Sequence, residues 1–296
     1  MNINAVGPVT APTPSVLARS FFKLRTARPL GAPFSVPPTA IALFIMLFFS
    51  VMPAFAAEWQ ELRGDHFITF YKSDEEFARQ VAHKAETAYK RIAEDLGYAR
   101  YSNFWQWDSR VKIYIYDSES DFKKMTGQPG WSEGMANYTT KQIHALNRGE
   151  GFIDGILPHE ITHLIFRDFV GLEGEIPLWM DEGVAQWEEP MKRAMSKKIA
   201  RYLVATGKDF HTQDLMMTDV RTLQDEEKVH NFYMQSVSLV DYLVKSYGGQ
   251  SFTEFCRALR DGKKFEEALR SAYPNSIENV NDLDTKWREY ASKEDI

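Results

Sequence analysis

The 296-residue chain is 44% hydrophobic, enough for a real core in one large domain or two small ones, which excludes a disordered or low-complexity polymer. Its formal net charge of −6 hides an asymmetry: residues 1–57 hold four basic residues and no acid, leaving the body with 31 basic against 41 acidic residues, near −10. An acidic body without a long basic run argues against nucleic acid as a partner, and Cys256, the single cysteine, excludes an internal disulfide or a cysteine-based metal cluster.

Seven of the thirteen prolines fall in residues 1–38, a stretch that reads as an irregular leader. An uncharged apolar run from about Ala40 to Met52 follows, then Pro53 and the small-residue pattern Ala54-Phe55-Ala56. This layout predicts a secretory signal peptide cleaved after Ala56, because a run of roughly 13 residues is short for a membrane-spanning helix. Counting on to Ala57 extends the run to about 18 residues, so an uncleaved N-terminal anchor is the alternative, and only then is a membrane a partner. Either way the body is expected outside the cytoplasm, periplasmic or secreted.

In the body, residues 66–72 alternate in strand fashion, and a capping box from Ser73 to Glu76 opens a helix with apolar positions Phe77, Val81, Ala85, Ile92 and Leu96 that ends at Gly97. A second strand covers 111–117, with Val111, Ile113 and Ile115 on one face, and a short helix runs from Ser118 to about Lys124. After Gly134 the β-branched and aromatic run predicts one or two more strands, closing near Asn147. From Gly151 the pattern turns helical. One helix contains the stretch LPHEITHLIF; the next has Pro177 in its first turn and stops before Pro190; later ones cover roughly 227–247, 251–259 and 279–290. The expected class is α+β, with a small mixed N-terminal sheet in an α/β lobe (58–150) and a helical lobe (151–296), the two possibly forming one domain.

LPHEITHLIF places His159 and His163 four apart, one helical turn above each other on the same face, so both imidazoles can reach one point. That spacing suits two nitrogens at about 2.0–2.1 Å from zinc. Glu160, about 100° round the helix, is badly placed as a ligand to the same ion but well placed to act on a water there. The competing reading makes both histidines structural, one at a helix end and one hydrogen-bonded among Leu157, Ile161, Leu164 and Ile165. A third ligand decides between them. The long form H-E-x-x-H-x-x-G-x-x-H is excluded, because Phe166 and Phe169 stand where Gly and His are needed.

Downstream, PLWMDEGVAQW places Glu182 nineteen positions after His163. H-E-x-x-H followed at that distance by W-x-x-E-G-x-A resembles the gluzincins, the peptidase MA-like group that includes thermolysin-like and membrane-alanyl-type aminopeptidases; the matching residues are His159, Glu160, His163, Trp179, Glu182, Gly183 and Ala185. The resemblance implies a zincin-like, thermolysin-like fold and one zinc ion held by His159, His163 and Glu182, with the adjacent Asp181 as the rival third ligand. It also implies peptide-bond hydrolysis of a peptide or protein substrate, with Glu160 as general base and then acid. Thermolysin-type enzymes would add an Asp four residues after Glu182, where this chain has Gln186, so the group that orients His159 is left open. Residues 230–249 are similar to the helix that carries an oxyanion-supporting Tyr in the aminopeptidase branch. Tyr233 maps onto that Tyr, with His230 as the competing donor and a plain core aromatic as the structural alternative. In that branch an edge strand supplies an acid that holds the substrate amine. Here GMAN (134–137) has Ala136 at that position, so the expectation leans to an endopeptidase. A zinc amidase acting on cell-envelope peptides and an inactive metal-binding module on the same fold are the alternatives.

Overall fold

The computed structural model describes residues 58–98, 105–128, 134–147, 149, 151–171 and 176–293. The expected leader, apolar run and cleavage site lie outside the described residues.

Five strands form one mixed sheet in the order β1-β2-β3-β5-β4: β1 (Gln60–Arg63), β2 (Phe67–Tyr71), β3 (Val111–Tyr116), β4 (Gly134–Asn137) and β5 (Gln142–Leu146). β2, β3 and β5 are parallel, while β1 and β4 pair antiparallel at the two edges. Alternation sends Phe67, Val111, Ile113, Ile115, Ile143 and Ala145 to one face, all buried. Against that face lie α1 (Glu75–Asp95), through Val81, Ala85 and Ile92, and α3 (Leu157–Val170), through Ile161, Leu164 and Ile165, in one core cluster. α2 (Glu119–Thr126), capped by Ser118, covers a smaller cluster of Tyr116, Phe122 and Leu146.

The rest is helical: α4 (Leu178–Trp187), α5 (Pro190–Thr206), α6 (Thr212–Met217), α7 (Glu226–Tyr247), α8 (Gly249–Arg260), α9 (Phe265–Ala272) and α10 (Val280–Ser292). The fold is therefore α+β, a small mixed sheet followed by a mainly helical remainder, compatible with a zincin-like architecture. Buried residues from both parts belong to the same core cluster.

One local expectation needs correcting, and four elements, β1, α5, α6 and α9, carry none. The cap of α1 is Asp74, whose Oδ1 accepts the Phe77 amide at 2.9 Å, instead of a box opened by Ser73. β1 carries no expectation, because a mostly exposed edge strand shows no in–out alternation. α9 is also unexpected. α4 ends at Trp187, before Pro190 as expected, but Pro190 then opens the unexpected α5, in whose first turn its missing N–H has no helical partner to lose, and Gly207 at φ 64° closes that helix.

Two close approaches set the site. In α4, a Cβ on Gly183 would lie 2.5 Å from the Ser236 carbonyl oxygen, so only glycine lets α4 rest on the backbone of α7. In β4, a Cβ on Gly134 would lie 2.5 Å from Ile156 Cγ2 and 3.3 Å from Glu160 Oε1, so the edge strand runs directly beside α3. α3 itself continues out of a π turn (Phe152–Ile156), in which the Leu157 amide donates to the Phe152 carbonyl five residues back. The wider turn precedes Pro158, whose ring would crowd the carbonyl four residues back in a regular helix.

Candidate metal centre

α3 presents His159 and His163 on one face, and α4 brings Glu182 opposite them. The His159 and His163 Nε2 atoms are 3.1 Å apart, and Glu182 Oε2 lies 3.6 Å from the first and 3.8 Å from the second. Ligand atoms of these three residues all lie within 4.8 Å of one another, a cluster that could hold a metal ion. Tetrahedral coordination with zinc bonds of about 2.0–2.2 Å places ligand atoms roughly 3.3 Å apart, so the observed separations straddle the required value.

The outer contacts make the chemistry sharper. His159 Nδ1 lies 3.0 Å from Glu189 Oε1, and that oxygen also accepts from Lys192 Nζ at 2.8 Å. His163 Nδ1 lies 3.3 Å from Asp181 Oδ1, while Asp181 Oδ2 accepts from Arg167 Nη2 at 2.9 Å. A carboxylate can only accept, so Glu189 favours the Nδ1–H form of His159 with Nε2 turned inward, and Asp181, at ion-pair distance, favours a proton on His163 Nδ1. Two Nε2 atoms and a carboxylate oxygen then face one point, a donor set that suits a cation. The same field acts on His163: burial disfavours its imidazolium, but facing Asp181 and the nearby Glu182 and Glu160 raise its pKa. For Asp181 burial opposes ionisation, yet His163 and Arg167 hold its carboxyl low.

These placements separate the sequence candidates. Asp181, adjacent to Glu182 but about 100° round α4, lies outside the cluster and behind His163. Its carboxylate is engaged by Arg167, and Glu182 is the acid that the cluster with His159 and His163 contains. Glu160 faces β4; burial raises its pKa, against the lowering effects of His159, His163 and the Ala136 backbone. Tyr233, half-buried on α7, has its pKa raised to about 12, first by burial and then by Glu182, with Arg221 opposing, so its phenol is a donor near the third ligand. His230 is not beside it: that side chain is exposed and lines a groove against α5.

Sequence reasoning missed three residues. Glu189 supplies the contact to His159 that position 186 cannot; Gln186 is buried in α4. A signal for it exists, since Glu188 and Glu189 end α4, where the helix dipole disfavours acids, so their presence asks for cationic or hydrogen-bonding partners. Indeed Glu188 pairs with Arg91. Tyr138, just after β4, lies edge-on to His163 at 6.2 Å between ring centroids and takes Arg167 over its face at 5.7 Å, a long-range placement with no local signature. Arg167 sits one turn after His163 on α3. If Glu189 orients His159, Glu189→Gln should weaken metal binding by about 10- to 100-fold, readable by competition with a chromophoric chelator, with little change in the melting temperature of the metal-free protein.

Fold and centre together define a metallopeptidase-type protein. The Peptidase MA superfamily model matches residues 85–293, most of the chain, and the chain belongs to that superfamily. Among curated proteins none matches it significantly.

Proposed function

We propose that the protein is a zinc-dependent, gluzincin-type endopeptidase of thermolysin-like design. His159, His163 and Glu182 would hold one zinc ion, and Glu160 would serve as base. The observation that carries this reading is the convergence of the two Nε2 atoms and Glu182 Oε2 on one point, each imidazole backed by a carboxylate. When bound, zinc supplies Lewis-acid polarisation of the scissile carbonyl and lowers the pKa of water towards about 7.

The chain's own residues do the rest. Glu160 takes the proton of the attacking water and returns it to the leaving amine. Tyr233 donates to the developing oxyanion from the α7 side, an interaction worth roughly 10²–10³ in rate for donors of this kind. β4 ends the sheet, so its outer edge can align an extended peptide by main-chain pairing. Ala136 provides no carboxylate to hold a free amine, which favours internal bonds over N-terminal ones. The apolar run at 40–52 supports action outside the cytoplasm on peptide or protein substrates.

The test uses the full-length chain. It should contain about one equivalent of zinc by mass spectrometry and cleave casein; phenanthroline should stop cleavage and added zinc restore it. Cleavage that continues in the metal-free protein would overturn the reading.

A further inference from the structure

α5 carries a second apolar stripe that faces away from the core. Met191, Met195, Ile199 and Tyr202 recur at helical spacing, and three of them are unusually open, with Met191 78%, Met195 48% and Tyr202 53% exposed. Between this stripe and α7 runs a groove of about 220 Å³, walled by Met195, Ile199, Leu203 and Met234 and bordered by Lys198 and His230. The α5 wall begins at the metal centre and the α7 wall runs past it. Glu189, which touches His159, is the N-cap of α5, and Tyr233, which senses Glu182, lies between His230 and Met234 on α7.

The groove's charge is as particular as its shape. α5 holds Lys192, Arg193, Lys197, Lys198 and Arg201 and no acid, on an otherwise acidic body. Four of these five are engaged. Lys192 bonds Glu189, Arg193 bonds Asp95 and stacks on Trp187, Lys197 lies over Tyr290, and Arg201 bonds the Lys293 carbonyl. Lys198, at the groove, has no partner among the described residues. A small concave apolar slot with one open ammonium suits a side chain better than a flat surface, and methionine walls adapt to different apolar shapes.

We propose that the α5–α7 groove is a distal substrate subsite: it takes an apolar side chain of an extended peptide, and Lys198 takes the carboxylate of a neighbouring acidic residue. The inference rests on the peptidase reading and adds a substrate class to it. Met195 and Ile199 lie six and ten positions along α5 from Glu189, about 9 and 15 Å at 1.5 Å per residue, and an extended chain advances about 3.3 Å per residue, so the apolar–acidic pair sits roughly three to five residues from the scissile bond.

The test uses full-length, zinc-loaded protein and internally quenched dodecapeptides in which a Leu-Asp pair is moved stepwise along the chain. KM should be lowest with the pair three to five residues from the cut. Met195→Asp and Met234→Asp should each raise KM about tenfold at unchanged zinc content and melting temperature, Met195→Leu should keep the original value, and Lys198→Ala should remove the preference for Asp over Asn. A KM indifferent to pair position, an inert Met195→Asp, or a Met195→Asp whose only effect is to dissociate a dimer in size-exclusion chromatography overturns the proposal. Binding of a fluorescein-labelled Leu-Asp dodecapeptide to Glu160→Gln separates the two readings. If no peptide is cleaved yet Met195→Asp in that background weakens binding about tenfold, the groove stands and the peptidase reading falls. If nothing binds while the wild-type protein still cleaves casein in a zinc-dependent way, the groove falls and the peptidase reading stands.

Discussion

Glu160→Gln should abolish measurable casein cleavage, a loss on the order of 10²–10⁴ in rate, while the protein retains its zinc and its melting temperature. The amide keeps the volume of the carboxyl and its contact with the Ala136 backbone can be made through the side-chain carbonyl, so nothing in the packing against β4 changes. What disappears is the ability to accept a proton and carry it to the leaving amine. Because Glu160 points at the edge strand and stands outside the His159–His163–Glu182 cluster, zinc content and activity should separate in this variant. Zinc content by mass spectrometry and initial rates on the same preparation check it; an unchanged rate would remove Glu160 from the mechanism.

The second large effect is expected at the third ligand. Glu182→Ala leaves two imidazoles to hold the ion, and metal affinity should fall by more than the 10- to 100-fold typical of losing an outer contact, with activity lost in step. Asp181→Asn is the informative comparison, since the neighbouring carboxylate contacts His163 Nδ1 and Arg167 and stands away from the cluster. Its effect should stay within about 10- to 100-fold. If instead Asp181→Asn strips the metal and Glu182→Ala keeps it, the two acids have been assigned the wrong way round.

What could be read from the residues and what could not divides along physical lines. His159, His163 and Glu160 were legible because helical spacing fixes which side chains share a face. Glu182 was legible through its separation from that motif and its Trp179 and Gly183 surroundings, a resemblance and not a geometric deduction. The main sheet strands followed from alternation, since their inner face is buried and their outer face is not. β1 was hidden because it is an exposed edge, and α5 because its Pro190 looked like an end and its charged residues mask a stripe whose apolar members face outward. Glu189 and Tyr138 reach the histidines across 30 and 25 residues of chain; the acids at the end of α4 signal that Glu189 needs a partner but not which one, and Tyr138 has no local signal at all. That Tyr233 and not His230 lies near Glu182 follows from the rotation of α7 about its axis, which depends on how α4 and α5 pack around it.

The contact at Gly183 bears on how the centre tolerates change. Glu182 precedes the residue that touches the Ser236 carbonyl, and Tyr233 lies one turn before Ser236 on the helix being touched. The acid and the phenol are therefore gauged by backbone resting on backbone, with no intervening side chains whose size could drift. Substitutions elsewhere in the helical half can tilt or shift α4 and α7 as a joined pair while the span between the two functional groups stays constant. A lineage of such proteins could remodel its outer helices freely, and with them the substrates it admits, without recalibrating the distance on which the reaction depends.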